Sequence, residues 1–206
     1  MRKYLIPAAA LIALAGGTVV VAQQMPAAPG TEDVSKVTGG NYVIDPSHTQ
    51  IVFAYDHMGF SNNLGIIAQP TGTLTLDPKN PSAAKVSVEI PVANLKTGIT
   101  DLDTHLMKPE FFDSAKFPKA TFVSTGVKVD GDDAEIAGNL TIKGITKPVT
   151  LDADFYGAGM HPMTKKENIG FTATATVKRS DFGMSYGVPM VGDAIELRIV
   201  AAFEKQ

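Results

Sequence analysis

The sequence has no cysteine and no tryptophan, only four histidines and no excess of basic residues. Without cysteine there are no disulfides, no thiolate nucleophile and no cysteine metal site. A cysteine-free chain is compatible with an oxidising compartment without proving one. A net charge of -3 gives nothing to attract a polyanion, so nucleic acid is excluded as a partner class. Helical patterning is scarce as well, which sets aside bundles and βαβ folds.

What is present is a chain of 206 residues, 44% of them hydrophobic, enough for one domain with its own core. Arg2 and Lys3 precede an uncharged run from Tyr4 to Ala22, with Val20 and Ala22 as small residues at its end. A basic start, an apolar middle and a small-x-small exit form the layout of a secretory signal over residues 1–22. An uncleaved anchor is the alternative, but the run is barely long enough to span a bilayer, and Pro7, Gly16 and Gly17 weaken it as a helix. Residues 23–40 show no period and are rich in Pro, Ala, Gly and Thr, so they read as a flexible linker. The folded domain is expected over residues 41–206.

From Asp45 the sequence alternates. A turn at Asp45-Pro46-Ser47 leads to Thr49, Ile51, Phe53, Tyr55 and His57 on one face, with Gln50, Val52, Ala54 and Asp56 on the other. Gly59 to Asn63 reads as a turn cluster, and 64–76 as a strand weakened by Gly65, Pro70 and Gly72. Val86, Val88 and Ile90 alternate with Lys85, Ser87 and Glu89. Further alternating stretches lie at 120–129, 134–142, 149–156, 169–177 and 195–204, with a loop at 157–168. Asp130-Gly131 and Lys143-Gly144 supply hairpin turns. The pattern breaks only at 100–116. There, Thr100 as a hydroxyl cap with Asp103 three residues on predicts a short helix, followed past Pro109 by a turn carrying Phe111 and Phe112. About eight one-sided strands joined by short turns predict an all-β protein, an antiparallel sheet closed into a barrel or folded into a sandwich. The inward residues, among them Val88, Phe122, Phe155 and Phe171, make either a solid core or the wall of a cavity for one elongated ligand.

Three patterns invite a catalytic or metal reading. His48 and His57 have an odd separation, which on an unbroken strand puts them on opposite faces roughly 30 Å apart, so they cannot share an ion. None of the histidines has a familiar ligand spacing, and no metal is expected. Gly183-Met184-Ser185-Tyr186-Gly187 matches G-x-S-x-G, but that chemistry needs a strand-to-helix elbow and a downstream histidine, and none follows Ser185. Residues 183–192 read as a glycine-rich loop, and no enzyme is expected. Arg179 is a candidate for a local ion pair with Asp181 or for a charged head group.

Five segments in series carry a resemblance: DPSHTQIVFAYDHMGFS at 45–61, PEFFDSAKFPKATFVS at 109–124, GNLTIKGITKPVTL at 138–151, RSDFGM at 179–184 and VGDAIEL at 191–197. Together they resemble the YceI-like family of secreted, lipocalin-like proteins that bind polyisoprenoids, over roughly 41–204. One departure is that Ile66 and Ile67 follow Gly65, where the family usually places an aromatic. The resemblance implies an eight-stranded antiparallel lipocalin-like barrel with one short helix packed against it. Its lumen would hold the tail of an isoprenoid quinone or polyprenyl lipid in the periplasm, for transport or storage, without a cofactor. The ligand-binding residues it implies are Ile51, Phe53, Tyr55, His57, Phe60 and Val88, with Phe111, Phe112, Phe122, Phe155, Phe171, Arg179 and Phe182. Membrane association would be only indirect, and a homodimer is left open. The alternative function is a secreted, solid-cored structural or stress-associated domain without ligand.

Overall fold

The computed structural model describes residues 27–206. The signal segment expected at 1–22 lies outside them. The chain forms one antiparallel sheet of 11 strand segments: β1 (Gly40–Ile44), β2 (Gln50–His57), β3 (Ser61–Ala68), β4 (Thr71–Leu76), β5 (Lys85–Pro91), β6 (Leu95–Lys96), β7 (Lys119–Asp130), β8 (Asp133–Ile142), β9 (Ile145–Met160), β10 (Glu167–Lys178) and β11 (Ala194–Lys205). Their order is β1-β4-β5-β7-β8-β9-β10-β11, and β11 pairs back onto β1, so the sheet closes on itself as an eight-stranded barrel. Closure removes the unpaired edges that a long alternating sheet would otherwise expose.

Eleven segments make eight staves because three neighbouring staves are each broken in two. β1 and β2 pair with successive parts of β11, through Phe203–Lys205 and Glu196–Val200 respectively. Between them the chain steps out at Asp45–Thr49, and the Thr49 side chain fills the gap in the ladder. Its hydroxyl donates to the Ala202 carbonyl at 3.3 Å, and its oxygen accepts the Ala202 amide at 3.1 Å. The Ala202 carbonyl also accepts the Asp45 amide at 2.8 Å, so a part-buried backbone pair is satisfied partly by a side chain where a strand would have served. β3 and β4 are separated at Gln69-Pro70, with Gln69 at φ 59 and proline unable to donate. β5 and β6 are separated by a turn of 3-10 helix at Val92–Asn94. The strands from β7 to β11 are continuous, with bulges at Ser124/Gly126 and Gly170/Phe171.

The one α-helix among the described residues, α1 (Thr100–Leu106), lies where expected but starts differently. Thr100 is not its cap. The Asp103 carboxylate instead reaches back to accept from the Thr97 amide and hydroxyl, both at 2.7 Å, and these bonds hold its pKa below the usual carboxylate range. Asn62 and Asn63 belong to β3 rather than to the preceding turn, and the loop expected at 157–168 shrinks as β9 runs on to Met160.

The second half of the expected linker is docked on the barrel. Thr31 and Ala158 exchange backbone hydrogen bonds of 3.0 and 2.9 Å. Val34–Lys36 form a 3-10 turn whose Ser35 amide is capped by Asp33, and Thr38 is held by Glu167. Composition hid this because the apolar anchors, Val34 and Val37, are only two, set at i, i+3 among polar residues.

Candidate functional site

The barrel interior holds two adjoining cavities. One, of about 390 Å³, lies toward the β7–β8 hairpin. The other, of about 340 Å³, lies toward α1 and the loop after β10. Ile51, Ile90, Leu140 and Leu197 line both, so the chambers meet at a waist made by these four side chains. Protein interiors seldom leave voids larger than a water molecule, and ligand cavities begin at roughly 300 Å³. A solid core, the alternative left open by the strand pattern, does not fit this interior.

Alternation along the strands builds the walls. Val88, Phe122, Phe155 and Phe171 face the hairpin-end chamber, with Phe155 and Phe171 edge to face at 5.8 Å. Phe53, Tyr55 and His57 follow Ile51 along β2 into the helix-end chamber. Phe111 and Phe112, on the turn after α1, and Phe182 face the same space. Phe53 lies over Gly65 of the paired strand, where a Cβ would come within 2.1 Å of its ring. Ile67, at the position where the family usually carries an aromatic, faces this chamber too.

Two expected site residues are placed otherwise. Phe60 is 87% exposed at the tip of the β2–β3 hairpin and faces neither chamber, because the turn at Met58–Phe60 breaks the alternation. Arg179 borders the helix-end chamber, but its guanidinium is engaged elsewhere. It donates to the carbonyls of Gly192, Met184, Tyr186 and Val191 at 2.7–2.8 Å, and it makes no ion pair with Asp181. Burial lowers its pKa, and the nearby Asp193 carboxylate opposes that. Asp193 in turn accepts from the Ser180 amide and hydroxyl at 2.9 and 2.7 Å. Arg179 therefore organises the loop that floors the chamber.

Sequence reasoning missed several lining residues. Leu102 and Leu106 of α1 face inward, as do Asn63, Met184 and Tyr186. His105 stacks edge to face on Phe111 at 5.0 Å and on Tyr186 at 5.5 Å, and its Nε2 lies 3.0 Å from Glu110. Loop residues such as Tyr186 carry no periodic signal that would reveal them. Ser185 is exposed on the same loop, with no hydrogen bond to a histidine among the described residues. His48 is taken up by Asp45 at 2.6 Å, away from His57.

Both chambers are predominantly apolar, and each has a few polar groups at its border. Tyr55, His57, Asn63, His105 and Tyr186 border the helix-end chamber. The hairpin-end chamber is walled by aliphatic and phenyl groups, with Thr49 already bonded and Asp132 and Asp133 at the hairpin tip. A hydrogen bond with Asp154 and then burial raise the Asp133 pKa, with repulsion from Asp154, Asp130 and Asp132 adding to it.

A closed antiparallel barrel around an elongated apolar lumen is a lipocalin-like architecture. A family model described as the YceI-like domain matches residues 42–203, and the chain belongs to that family. It is 42% identical over 160 residues to Protein YceI of Salmonella enteritidis, covering 77% of this chain and 83% of that protein. Among solved structures, the Campylobacter jejuni YCEI protein superposes with a TM-score of 0.65 at 31% identity, over 73% of this chain and 90% of its own. Burkholderia cenocepacia BcnA gives a TM-score of 0.69 at 21% identity, over 77% and 98%. A polyisoprenoid binding domain from Saccharophagus degradans, implicated in plant cell wall breakdown, gives 0.62 at 13% identity, over 80% and 98%. The last two likenesses speak for the fold.

Proposed function

We propose that the protein is an exported, non-catalytic lipid-binding barrel that holds an isoprenoid chain in its lumen, for transport or storage in the periplasm. The observation that carries this reading is the two-chambered, predominantly apolar lumen that runs through the barrel. The tail lies through the waist into the hairpin-end chamber, and the head group, of a quinone or a polyprenyl phosphate, lies among Tyr55, His57 and Asn63. Each buried CH₂ contributes about 0.8 kcal/mol, and loss of freedom and desolvation offset much of the sum. Such a site selects a chain by length and shape more than by head group. A polyisoprenoid binding domain among the structural neighbours supports the choice of lipid, and the basic-then-apolar start of the sequence supports export.

The test is native mass spectrometry of the protein taken from its own compartment, followed by organic extraction. A co-purifying species of isoprenoid mass is the expected result. A protein that arrives bare and also takes up neither added quinone nor polyprenol would overturn the reading.

A further inference from the structure

The hairpin-end chamber is completed by residues that precede the family match. β9 overhangs β8: pairing between them ends at Asp154, and β9 continues to Met160 with one edge free. The segment 29–38 occupies that edge. Thr31 pairs with Ala158 there, and the backbone of Pro29 and Thr31 passes over two positions without side chains. A Cβ on Gly159 would come within 2.0 Å of the Pro29 carbonyl oxygen, and one on Gly157 within 3.1 Å of that of Thr31. Farther on, the Glu167 carboxylate clasps Thr38: it accepts the Thr38 amide at 3.0 Å, the Thr38 hydroxyl, and the Tyr42 hydroxyl at 2.7 Å. Between these two attachments Val37 packs against the barrel core, and Val34, 48% exposed, stands at the rim, so that both border the chamber beside Pro78 and Pro81.

We infer that this strap is the end-stop of the tail chamber: it sets the longest chain the lumen accepts and slows the chain's release. The inference rests on the lipid reading above and adds the residues that limit tail length. A strap held at both ends by hydrogen bonds, with Val37 packed inward and Val34 at the rim of the cavity, is placed to touch the far end of a bound chain. Nothing in the barrel needs Gly157 and Gly159 to be bare except the backbone that crosses them, so the strap's seat is built into β9.

Substitution of Gly159 separates the strap from the barrel's own packing. Gly159→Ala puts a methyl group where Pro29 lies and lifts the strap, while Val34→Asp/Val37→Asp leaves it attached but makes its inner face polar. Lys85→Glu, on an exposed face, is the control. The full chain and each variant, shown to be folded by circular dichroism, are loaded with polyprenols of increasing length and followed by native mass spectrometry. The parent and the control are expected to show one length cut-off. Both strap variants are expected to accept longer chains and to release bound chain on the order of tenfold faster, as loss of apolar contact between the strap and the chain predicts. Uptake by all proteins with the parent's cut-off and release rate overturns the strap's role alone. No uptake by any of them, parent included, overturns the lipid reading, and the strap's role with it.

Discussion

Phe53 and Phe171 stand in different chambers, and each is a direct probe of what the lumen holds. A carboxylate at either position would sit against apolar walls and repel a hydrocarbon chain, since an unpaired buried charge is strongly disfavoured. Phe53→Glu and Phe171→Glu are therefore expected to abolish retention of an isoprenoid, with Lys85→Glu unchanged, as read by extraction and mass spectrometry of folded protein. Equal retention by all of them would remove the lipid from the lumen. Arg179 belongs to a different class of residue. Its side chain answers four carbonyls that would otherwise be left without donors, each worth about 1–3 kcal/mol when buried and unpaired. Arg179→Leu is expected to cost about 3 kcal/mol or more in denaturant unfolding. Arg179→Lys should recover little of it, because one ammonium cannot replace the fork. The inward phenylalanines of the strands, Phe53, Phe122, Phe155 and Phe171, were legible from alternation alone, whereas Phe111, Phe112 and Phe182 lie on turns and rested on the family resemblance. The role of Arg179 was not legible, because its partners are backbone atoms of a loop whose path no periodic pattern encodes.

Among the elements, the strands were the most legible, since a period of two survives from sequence to sheet. Where the chain stops using backbone to satisfy backbone, legibility fails: the step at Asp45–Thr49, the Asp103–Thr97 bonds ahead of α1, and the strap. The strap's attachment also carries a pH dependence. Burial pushes the Glu167 pKa up, but the bonds from Thr38 and Tyr42, with the Lys205 ammonium 3.8 Å away, outweigh it and leave the pKa below the ordinary 4.5. Burial and the Glu167 carboxylate raise the Tyr42 pKa, so the phenol remains a donor. The neighbouring pair Lys166–Glu204, at 3.0 Å, is the other charged contact at this end. A carboxylate whose pKa is lower folded than unfolded contributes its full stability above the unfolded value and loses it as pH falls through the folded one. The strap should therefore stay docked at neutral pH and loosen below about pH 4.5. Hydrogen exchange at the Thr31 and Ala158 amides is the measurement, and Glu167→Gln should flatten the dependence.

For the molecule as a whole, a ligand that binds only the folded barrel stabilises it by mass action, about 2.7 kcal/mol at a hundredfold excess over Kd. In a chain of this size that corresponds to a rise in Tm of roughly 5–10 °C. Calorimetry of delipidated and reloaded protein is expected to show such a rise with a polyprenol and none with a short-chain alcohol. The barrel and its closure follow from the number and sidedness of the strands. The division of its interior into two chambers does not, because the waist depends on how Ile51, Ile90, Leu140 and Leu197 from four separate strands meet across the lumen.

Two of those four residues adjoin broken staves: Ile51 follows the step at Asp45–Thr49, and Ile90 precedes the turn at Val92–Asn94. The third break, at Gln69-Pro70, lies two residues beyond Ile67, the cross-strand partner of Ile51. The barrel is thus broken on one side at the level where its two chambers meet and continuous on the other. The interruptions in the ladder all fall on the side that carries Ile51 and Ile90, whereas Leu140 and Leu197 stand on strands that continue past the junction of the chambers.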